Sequence, residues 1–409
     1  MRILYLAPSI PYPPHTGGQI RSWYFLRHLA SKGRVTLVSI GRPRDVNPHL
    51  GELKKYCAQV FLADPAKFVS NREMSGPAAV LNRLKTFCRL QPWLLDDFVD
   101  QEIKRQILLA QPDQHDLIVV RFGVMAYHFL TARELKKYAP KMVVDVDDVT
   151  TIMLKRKLET MERGYKKMRS LVDFFFLSLY YRKLKAALAC FSVSEKDKQH
   201  MQENKMSNRI FVIPNVFEVN GRKAAVSDDS KPEILFCGTM SYPPNQDAIL
   251  FFCGKIFPSI RSVLHDAHLT IVGKNMPDGI KKLALEPGVT VAGSVPSMDP
   301  YYERVACVVI PLLNGAGSRI KILEAMAYQR PVVSTRIGAE GLDVTDGENI
   351  LLADTPGDFA QKCIELLKNS AERKRLVSNA YEFVKQNYDL PVLGQKLDGA
   401  ITELMGDKK

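Results

Sequence analysis

The stretch richest in residues able to do chemistry is Pro311-Leu-Leu-Asn-Gly315-Ala-Gly317-Ser318-Arg319-Ile-Lys321-Ile-Leu-Glu324. A glycine-rich turn follows an apolar run, and Ser318 stands where it can cap a helix. Ile320, Leu323 and Ala327 then fall on one apolar stripe of that helix. Lys321 and Glu324 are three apart and share a face. Arg319 reaches the same place only from a pre-helical turn. A helix start, a cation and a carboxylate suit a ligand that carries phosphate and a hydroxyl-rich ring. The carboxylate accepts from ring hydroxyls while the cation and free amides hold phosphate oxygens. The plainer alternative is a Lys–Glu surface pair on a core helix.

A second glycine turn lies in Pro13-Pro14-His15-Thr16-Gly17-Gly18, just before a helical pattern from about Gln19. Adjacent glycines let the backbone come close to a ligand, and the helix start behind them favours an anion. An ordinary strand-to-helix turn explains the same residues. The pattern is not the GxGxxG fingerprint of dinucleotide binding. A third group, Asp145-Val-Asp147-Asp148, follows an apolar run. Its carboxylates suit either a divalent cation or hydroxyl groups of a second substrate, and the sequence leaves both open.

These residues must be positioned by strands and helices that alternate along the whole chain, an α/β signature. Strands are predicted at Ile3–Ala7, Val35–Ser39, Val60–Ala63, Leu117–Arg121, Met142–Asp145 and Cys190–Val193, after which Ile210–Val212 leads into Pro214-Asn215. A polar segment, Phe217–Pro232, reads as a linker. The pattern then restarts with strands Ile234–Cys237, Leu269–Val272, Val289–Ala292, Val305–Pro311, Pro331–Ser334 and Ile350–Leu352. Helices are expected at Asn245–Ile256, 318–329, 357–368 and 371–386. Two Rossmann-like domains are predicted, residues 1–215 and 216–390, with a last helix at 391–405 returning to the first. Ligands of such a pair bind at the carboxyl ends of the strands, in the cleft between the domains.

With 46% hydrophobic and 25% charged residues, the 409-residue chain is not a disordered one. The opening MRILYLAPSIPYPP reads as a strand rather than a signal peptide, and no run reaches the roughly 20 apolar residues of a membrane span. Seven cysteines without a CxxC pair read as reduced core residues of a cytoplasmic protein, and neither a structural metal nor a disulfide frame is expected. The net charge of +13 is lopsided: residues 1–215 carry 35 basic and 20 acidic side chains, against 22 and 24 in 216–409. Much of the excess lies in 154–185, where Lys and Arg surround Phe174, Phe175, Phe176, Tyr180 and Tyr181. That mixture suits a helix resting on an anionic membrane surface. A solvated basic helix with its aromatics in the core is the alternative. Nucleic acid is not an expected partner, because no recognised binding module is visible.

The stretch GAGSRIKILEAMAYQRPVVSTRIGAEGL (315–342) resembles the donor-site signature of retaining GT-B glycosyltransferases near glycosyltransferase family 4. Together with FCGTMSYPPNQDAILFF (236–252) it is most similar to sugar transferases associated with PEP-CTERM and exopolysaccharide systems. The Gly17-Gly18 loop, Ile213-Pro214-Asn215, Ile271-Val272-Gly273 and Gly293-Ser294-Val295 extend the likeness over nearly the whole chain.

The resemblance implies a GT-B fold and transfer of a sugar, with retention, from a nucleoside diphosphate sugar to a hydroxyl acceptor, lipid-linked or polysaccharide. No cofactor and no metal are implied. Glu324 would hold the ribose, and the backbone of Gly293–Val295 would read the base. The diphosphate would meet Gly17, Gly18, Gly238, Thr239 and the helix start at Gly317 and Ser318.

Three departures are plain. Ala316 replaces the first of two glutamates usual in the family, so amides of Gly317 and Ser318 are candidates for its role. Thr239 and Asn245 replace the usual Arg and Lys, so Arg319 and Lys321 are predicted to supply that charge. The family's histidines are missing after the fourth and fifth strands, which leaves Asp148 a catalytic candidate and puts Arg121 and Asp147 on the acceptor side. His15 and His128 are read as bystanders. The resemblance places the protein in the cytoplasm, at the inner face of the cytoplasmic membrane. A nucleotide-sugar epimerase and a non-catalytic nucleotide-sugar-binding protein are the other classes this pattern allows.

Overall fold

Residues 1–68, 100–147, 149–161, 164–219, 232–315 and 319–406 are described by a computed structural model. The apolar runs pair into two parallel sheets. The first contains β1 (Arg2–Ala7), β2 (Arg34–Ile40), β3 (Cys57–Ala63), β4 (Leu117–Arg121), β5 (Met142–Val146), β6 (Ala189–Ser192) and β7 (Ile210–Val212). Their order is β3-β2-β1-β4-β5-β6-β7, with every described pair parallel. Central strands are buried along their length, as Ile3–Ala7 and Leu117–Arg121 show, because helices cover both faces. β3 begins at Cys57, three residues before the predicted start at Val60. It is an edge strand, so Ala58 and Gln59 face water and break the apolar run that signals a strand.

The second sheet contains β8 (Glu233–Cys237), β9 (His268–Val272), β10 (Val289–Gly293), β11 (Cys307–Ile310), β12 (Val332–Ser334) and β13 (Leu351–Leu352), in the order β10-β9-β8-β11-β12-β13. In both sheets the chain starts at an inner strand, winds to one edge, then crosses back. The order therefore reverses between β1 and β4, and again between β8 and β11. In doubly wound sheets the crevice outside the carboxyl ends at such a reversal is where ligands bind.

The helix predicted at Asn245–Ile256 starts earlier, at Pro243, and runs to Phe251. It continues through a π turn at Phe252–Ile256 into Phe257–Val263. Pro243 and Pro244 are tolerated because the first amides of a helix have no intrahelical partner. The helix expected at 318–329 is observed at Ile320–Ala327.

The described residues group into two units. One comprises Met1–Pro214 and the C-terminal helix from Gly394; the other comprises Asn215–Gly315 and Arg319–Leu393. The last helix spans Leu390–Gly406, and its Asp398 meets His28 (2.9 Å) and Lys32 (2.7 Å) of the helix Gly17–Lys32. Residues 220–231, most of the expected linker, lie outside the described residues.

Candidate functional site

In the C-terminal unit the reversal point brings the predicted residues to the end of β8. The Gly238 amide donates to Val272 O at 3.0 Å and the Met240 amide to Lys274 O at 2.8 Å, so the Gly238–Thr239 turn is pinned to the end of β9. A side chain on Gly273 would collide with backbone, whereas one on Gly238 would displace the Lys321 and Asn245 side chains. A Cβ on Gly273 would stand 1.8 Å from Gly238 O, and one on Gly238 would stand 2.8 Å from Lys321 Nζ.

Lys321 is thus delivered directly behind the turn. Its Nζ donates to Asn245 Oδ1 at 2.5 Å, and Asn245 Nδ2 donates to Thr239 O at 2.8 Å. The ammonium also lies 5.4 Å from the centre of the Phe236 ring. Asn245 stands where the resemblance led one to expect a lysine, and it holds in that region a lysine supplied by another element. Burial is the main influence on this ammonium and lowers its pKa to about 8; Arg319 adds to the lowering, while Cys237 and Glu324 oppose it. Glu324 is partly buried one turn further along the same helix.

Arg319 has a different task. It precedes the helix with φ −86° and ψ 33°, is buried, and donates to Glu340 O (3.2 Å) and Gly315 O (3.4 Å). The Glu340 carboxylate lies 3.8 Å away. Arg319 therefore fastens the glycine turn to the following loop, and its charge is engaged within the unit. Gly315, at φ +132°, occupies backbone space that favours glycine, and Tyr242 Oη stands 3.2 Å from where its Cβ would be. Gly317 and Ser318 lie outside the described residues, as does Ala316. Gly293 closes β10 at φ +73°, with open space where a Cβ would point, and accepts a bond from the Gly273 amide at 2.8 Å. Val295 follows two residues later, partly buried.

The N-terminal unit shows a buried ion cluster at its own reversal point. Thr16 caps the helix Gly17–Lys32, and Gly18 is exposed with nothing crowding it. Gly18 O accepts from Arg121 at 3.2 Å and from Ser22 Oγ at 2.9 Å. The Arg121 guanidinium also donates to Asp145 (2.5 Å), Asp147 (3.0 Å) and Ser22 Oγ (3.1 Å). Arg21 grips both Asp145 oxygens at 2.9 and 2.7 Å, and reaches Pro214 O (2.8 Å) and Ile213 O (2.9 Å). Burial alone would raise the Asp145 pKa, but Arg21 and Arg121 overcome it and hold the carboxyl below its ordinary value.

Both oxygens of Asp145 thus face guanidinium groups. Arg121 and Asp147, both expected on the acceptor side, form an ion pair, and Arg121 is buried and turned inward, where it holds Gly18 and Asp147. Asp147 Oδ1 is buried without a hydrogen-bond partner among the described residues. Asp148 lies outside the described residues. His15 is exposed, while His128 is buried, which pushes its pKa down to about 4. Among the described residues no group of three or more His, Cys, Asp or Glu side chains is arranged to hold a metal.

The basic segment forms two helices, Thr150–Thr160 and Tyr165–Arg182. Its aromatics divide. Phe176, Tyr180 and Tyr181 are buried in the core, whereas Tyr165 (67% exposed), Met168 (59%), Leu171 (51%) and Phe175 (57%) make an outward stripe at helical spacing.

Residues 231–369 match the family described as Glycosyl transferases group 1. A Klebsiella pneumoniae protein described as an uncharacterized 44.6 kDa protein in the cps region is 32% identical over 165 residues, which are 38% of this chain and 42% of that protein. The match therefore spans less than half of that relative. Among solved structures, sucrose-phosphate synthase from Thermosynechococcus elongatus superposes with a TM-score of 0.72 at 14% identity, covering both chains fully. Anabaena HepE, solved with UDP and glucose, superposes with a TM-score of 0.65 at 14% identity over 98% of this chain and 100% of that one. The chain has the GT-B fold, and its C-terminal unit carries a segment of the glycosyl transferases group 1 type.

Three further residues of these clusters carry less signal in the sequence. Asn245 was taken only as a missing lysine; its partner stands 76 residues away. Arg21 lies one helical turn after Gly17, a signal that could have marked it. Lys274 stands two residues after β9, and a cation at a strand's carboxyl end is a readable signal.

Proposed function

We propose that this protein is a retaining, metal-independent glycosyltransferase. It moves a hexose-type unit from a nucleoside diphosphate sugar to a hydroxyl acceptor, lipid-linked or polysaccharide, in exopolysaccharide or cell-envelope synthesis. The observation that carries this reading is Lys321, held by Asn245 behind the Gly238–Thr239 turn within the segment that matches glycosyl transferases group 1. As the bond between the anomeric carbon and the diphosphate breaks and the acceptor oxygen bonds to that carbon, negative charge gathers on the leaving diphosphate, which takes up the proton released from the acceptor hydroxyl. A fixed ammonium in a poorly hydrated place stabilises that charge more than water does. Glu324 accepts from ribose hydroxyls on the same helix face. Arg319 fastens the turn at the phosphate end, where the amides of Gly317 and Ser318 would donate to the diphosphate. In the N-terminal unit Asp147 serves the acceptor side and Asp148 is the catalytic candidate, with Gly17 and Gly18 at an anion-facing helix start.

HepE with UDP and glucose makes UDP-glucose the first donor to try, and the cps-region relative favours a surface polysaccharide as product. The test is a binding screen of UDP-, GDP-, ADP- and dTDP-sugars, followed by donor turnover with and without acceptor extracts and with and without chelator. Binding of one donor and acceptor-dependent turnover insensitive to chelator are expected, with Lys321→Ala at least a hundredfold slower. Donor conversion without acceptor would make the protein an epimerase. Tight binding without any turnover would make it a binding protein.

A second property rests on the exposed stripe Tyr165, Met168, Leu171 and Phe175. Exposed Lys155, Lys157, Arg169, Arg182, Lys183 and Lys185 lie on the same two helices and the turn after them. Among the described residues no helix is long and apolar enough to cross a membrane. We infer that this face lies on anionic lipid at the inner side of the cytoplasmic membrane. Flotation with phosphatidylglycerol-containing vesicles, and none with pure phosphatidylcholine, is expected, with Phe175→Glu abolishing it. Equal flotation on both compositions would exclude the charge-dependent reading.

A further inference from the structure

Four cations of the C-terminal unit stand just beyond the carboxyl ends of its strands: Lys274 after β9, Arg319 and Lys321 after β11, and Arg336 after β12. Three are engaged. Arg319 holds Gly315 O and Glu340 O, Lys321 holds Asn245, and Arg336 pairs with Asp354 at 3.4 Å. Lys274 is different. Its ammonium has no hydrogen bond or ion pair among the described residues, yet it is partly buried, and burial lowers its pKa.

A charge stripped of some of its water and given no acceptor in return is unfavourable unless a ligand supplies one. The backbone fixes where that charge sits. Lys274 O accepts from the Met240 amide, and the residue before it, Gly273, donates to Gly293 O. Lys274 therefore stands where β8, β9 and β10 end together. It follows the glycine that packs against Gly238 O, and its carbonyl is held to the turn that Lys321 also reaches.

We propose that Lys274 is a phosphate-binding residue of this unit, forming an ion pair with the diphosphate of a bound nucleotide across the Gly238–Thr239 turn from Lys321. The inference deepens the donor-site reading and rests on it for the identity of the ligand. Lys321 is held from within the protein and changes little on binding. Lys274 is the cation whose pairing waits for the ligand, so it should dominate the salt dependence of affinity.

The experiment is isothermal titration of the full-length protein and its Lys274→Met and Lys274→Arg variants. The ligands are UDP, GDP, ADP and dTDP, the matching nucleosides, and inorganic pyrophosphate, each at low and high salt. For the diphosphate that binds, Lys274→Met should weaken affinity about ten- to hundredfold and flatten its salt dependence. Lys274→Arg should keep most of the affinity, and nucleoside binding should not move. Unchanged diphosphate affinity in Lys274→Met overturns the proposal. An equal loss for nucleoside and diphosphate overturns it too, since the contact would then be to base or ribose. If pyrophosphate binds in a Lys274-dependent way while no nucleotide does, the phosphate contact stands and the nucleotide-sugar reading falls. If the wild-type protein binds neither, both fall.

Discussion

Replacing Arg121 by methionine tests whether this residue is a structural clamp or a cation reserved for substrate. The substitution keeps most of the side-chain length and removes bonds to Asp145, Asp147, Ser22 Oγ and Gly18 O. Asp145 is fully buried and keeps Arg21 on both oxygens, so it is not stranded. Asp147 loses its guanidinium, and its other oxygen has no hydrogen-bond partner among the described residues. Removing one partner from a buried ion pair costs about 3–5 kcal/mol. The retained Arg21 puts the expectation near the lower end, about 3 kcal/mol. For a unit of roughly 200 residues, that lowers the melting temperature by about 6–12 °C.

Scanning calorimetry should show this loss in the transition of the N-terminal unit, with the other transition unmoved. Arg121→Lys should recover only part of the loss, because an ammonium cannot reproduce the guanidinium fork. The pH dependence has a definite sign. The folded Asp145 pKa lies below its unfolded value, so its contribution is present above about pH 4 and fades as pH falls through the depressed folded value. With Arg121 gone that depression shrinks, and acid unfolding should begin at higher pH. A shift under about 2 °C at neutral pH would refute the clamp and return Arg121 to the substrate.

Lys321, with a pKa of about 8, should make donor affinity depend on pH in the opposite direction. The ammonium is lost as pH rises, leaving about a tenth protonated at pH 9, so UDP affinity should fall up to about tenfold between pH 7 and 9. Lys321→Met should bind weakly with a flat profile, and a wild-type profile equally flat would count against the lysine. Without ligand the sign reverses: the folded pKa lies below the unfolded one, so stability should rise as pH climbs from about 8 towards 10.4. Gly273→Ala places a Cβ 1.8 Å from Gly238 O, so the strand ends must part by about 1.2 Å to reach tolerable contact near 3.0 Å. Thermal unfolding should show a loss of about 2–4 kcal/mol in the C-terminal unit and weaker UDP binding. Gly293→Ala has open space and meets only the strain of φ +73°, about 1–2 kcal/mol. Equal losses for the two would show that the packing of β8 against β9 is not what the glycine protects.

The strands were legible because parallel sheets covered on both faces need continuous apolar runs, and Ile3–Ala7, Leu117–Arg121 and Leu269–Val272 are such runs. Where a strand lies at an edge, as β3 does, polar residues interrupt the run and its beginning is lost. The glycine at Gly315 was visible because few other residues suit its φ of +132°, whereas Gly17 and Gly18 open the first helix in ordinary backbone space. Partnerships across the fold were not visible. That Asn245 would hold Lys321, or that Asp145 would join Arg21 and Arg121, depends on which strand ends become neighbours, and composition says nothing of that. The stripe at Tyr165–Phe175 shows the same limit. The sequence grouped five aromatics, Phe174–Phe176 with Tyr180 and Tyr181, yet three of them turn into the core, and an outward face forms from Phe175 with three residues outside that group.

The C-terminal helix has a consequence for how the molecule is made. Leu393, Leu397, Ala400 and Leu404 are buried, and Asp398 closes on His28 and Lys32 of the first helix. The N-terminal unit therefore lacks part of its own packing until residues 215–393 have left the ribosome. At synthesis rates of about 5–20 residues per second, that interval is roughly ten to forty seconds. During it the first helix presents an unfinished surface, with His28 and Lys32 waiting for the carboxylate of Asp398. A chain released early would resemble the finished N-terminal unit in sequence up to Pro214 and still lack the helix that completes it.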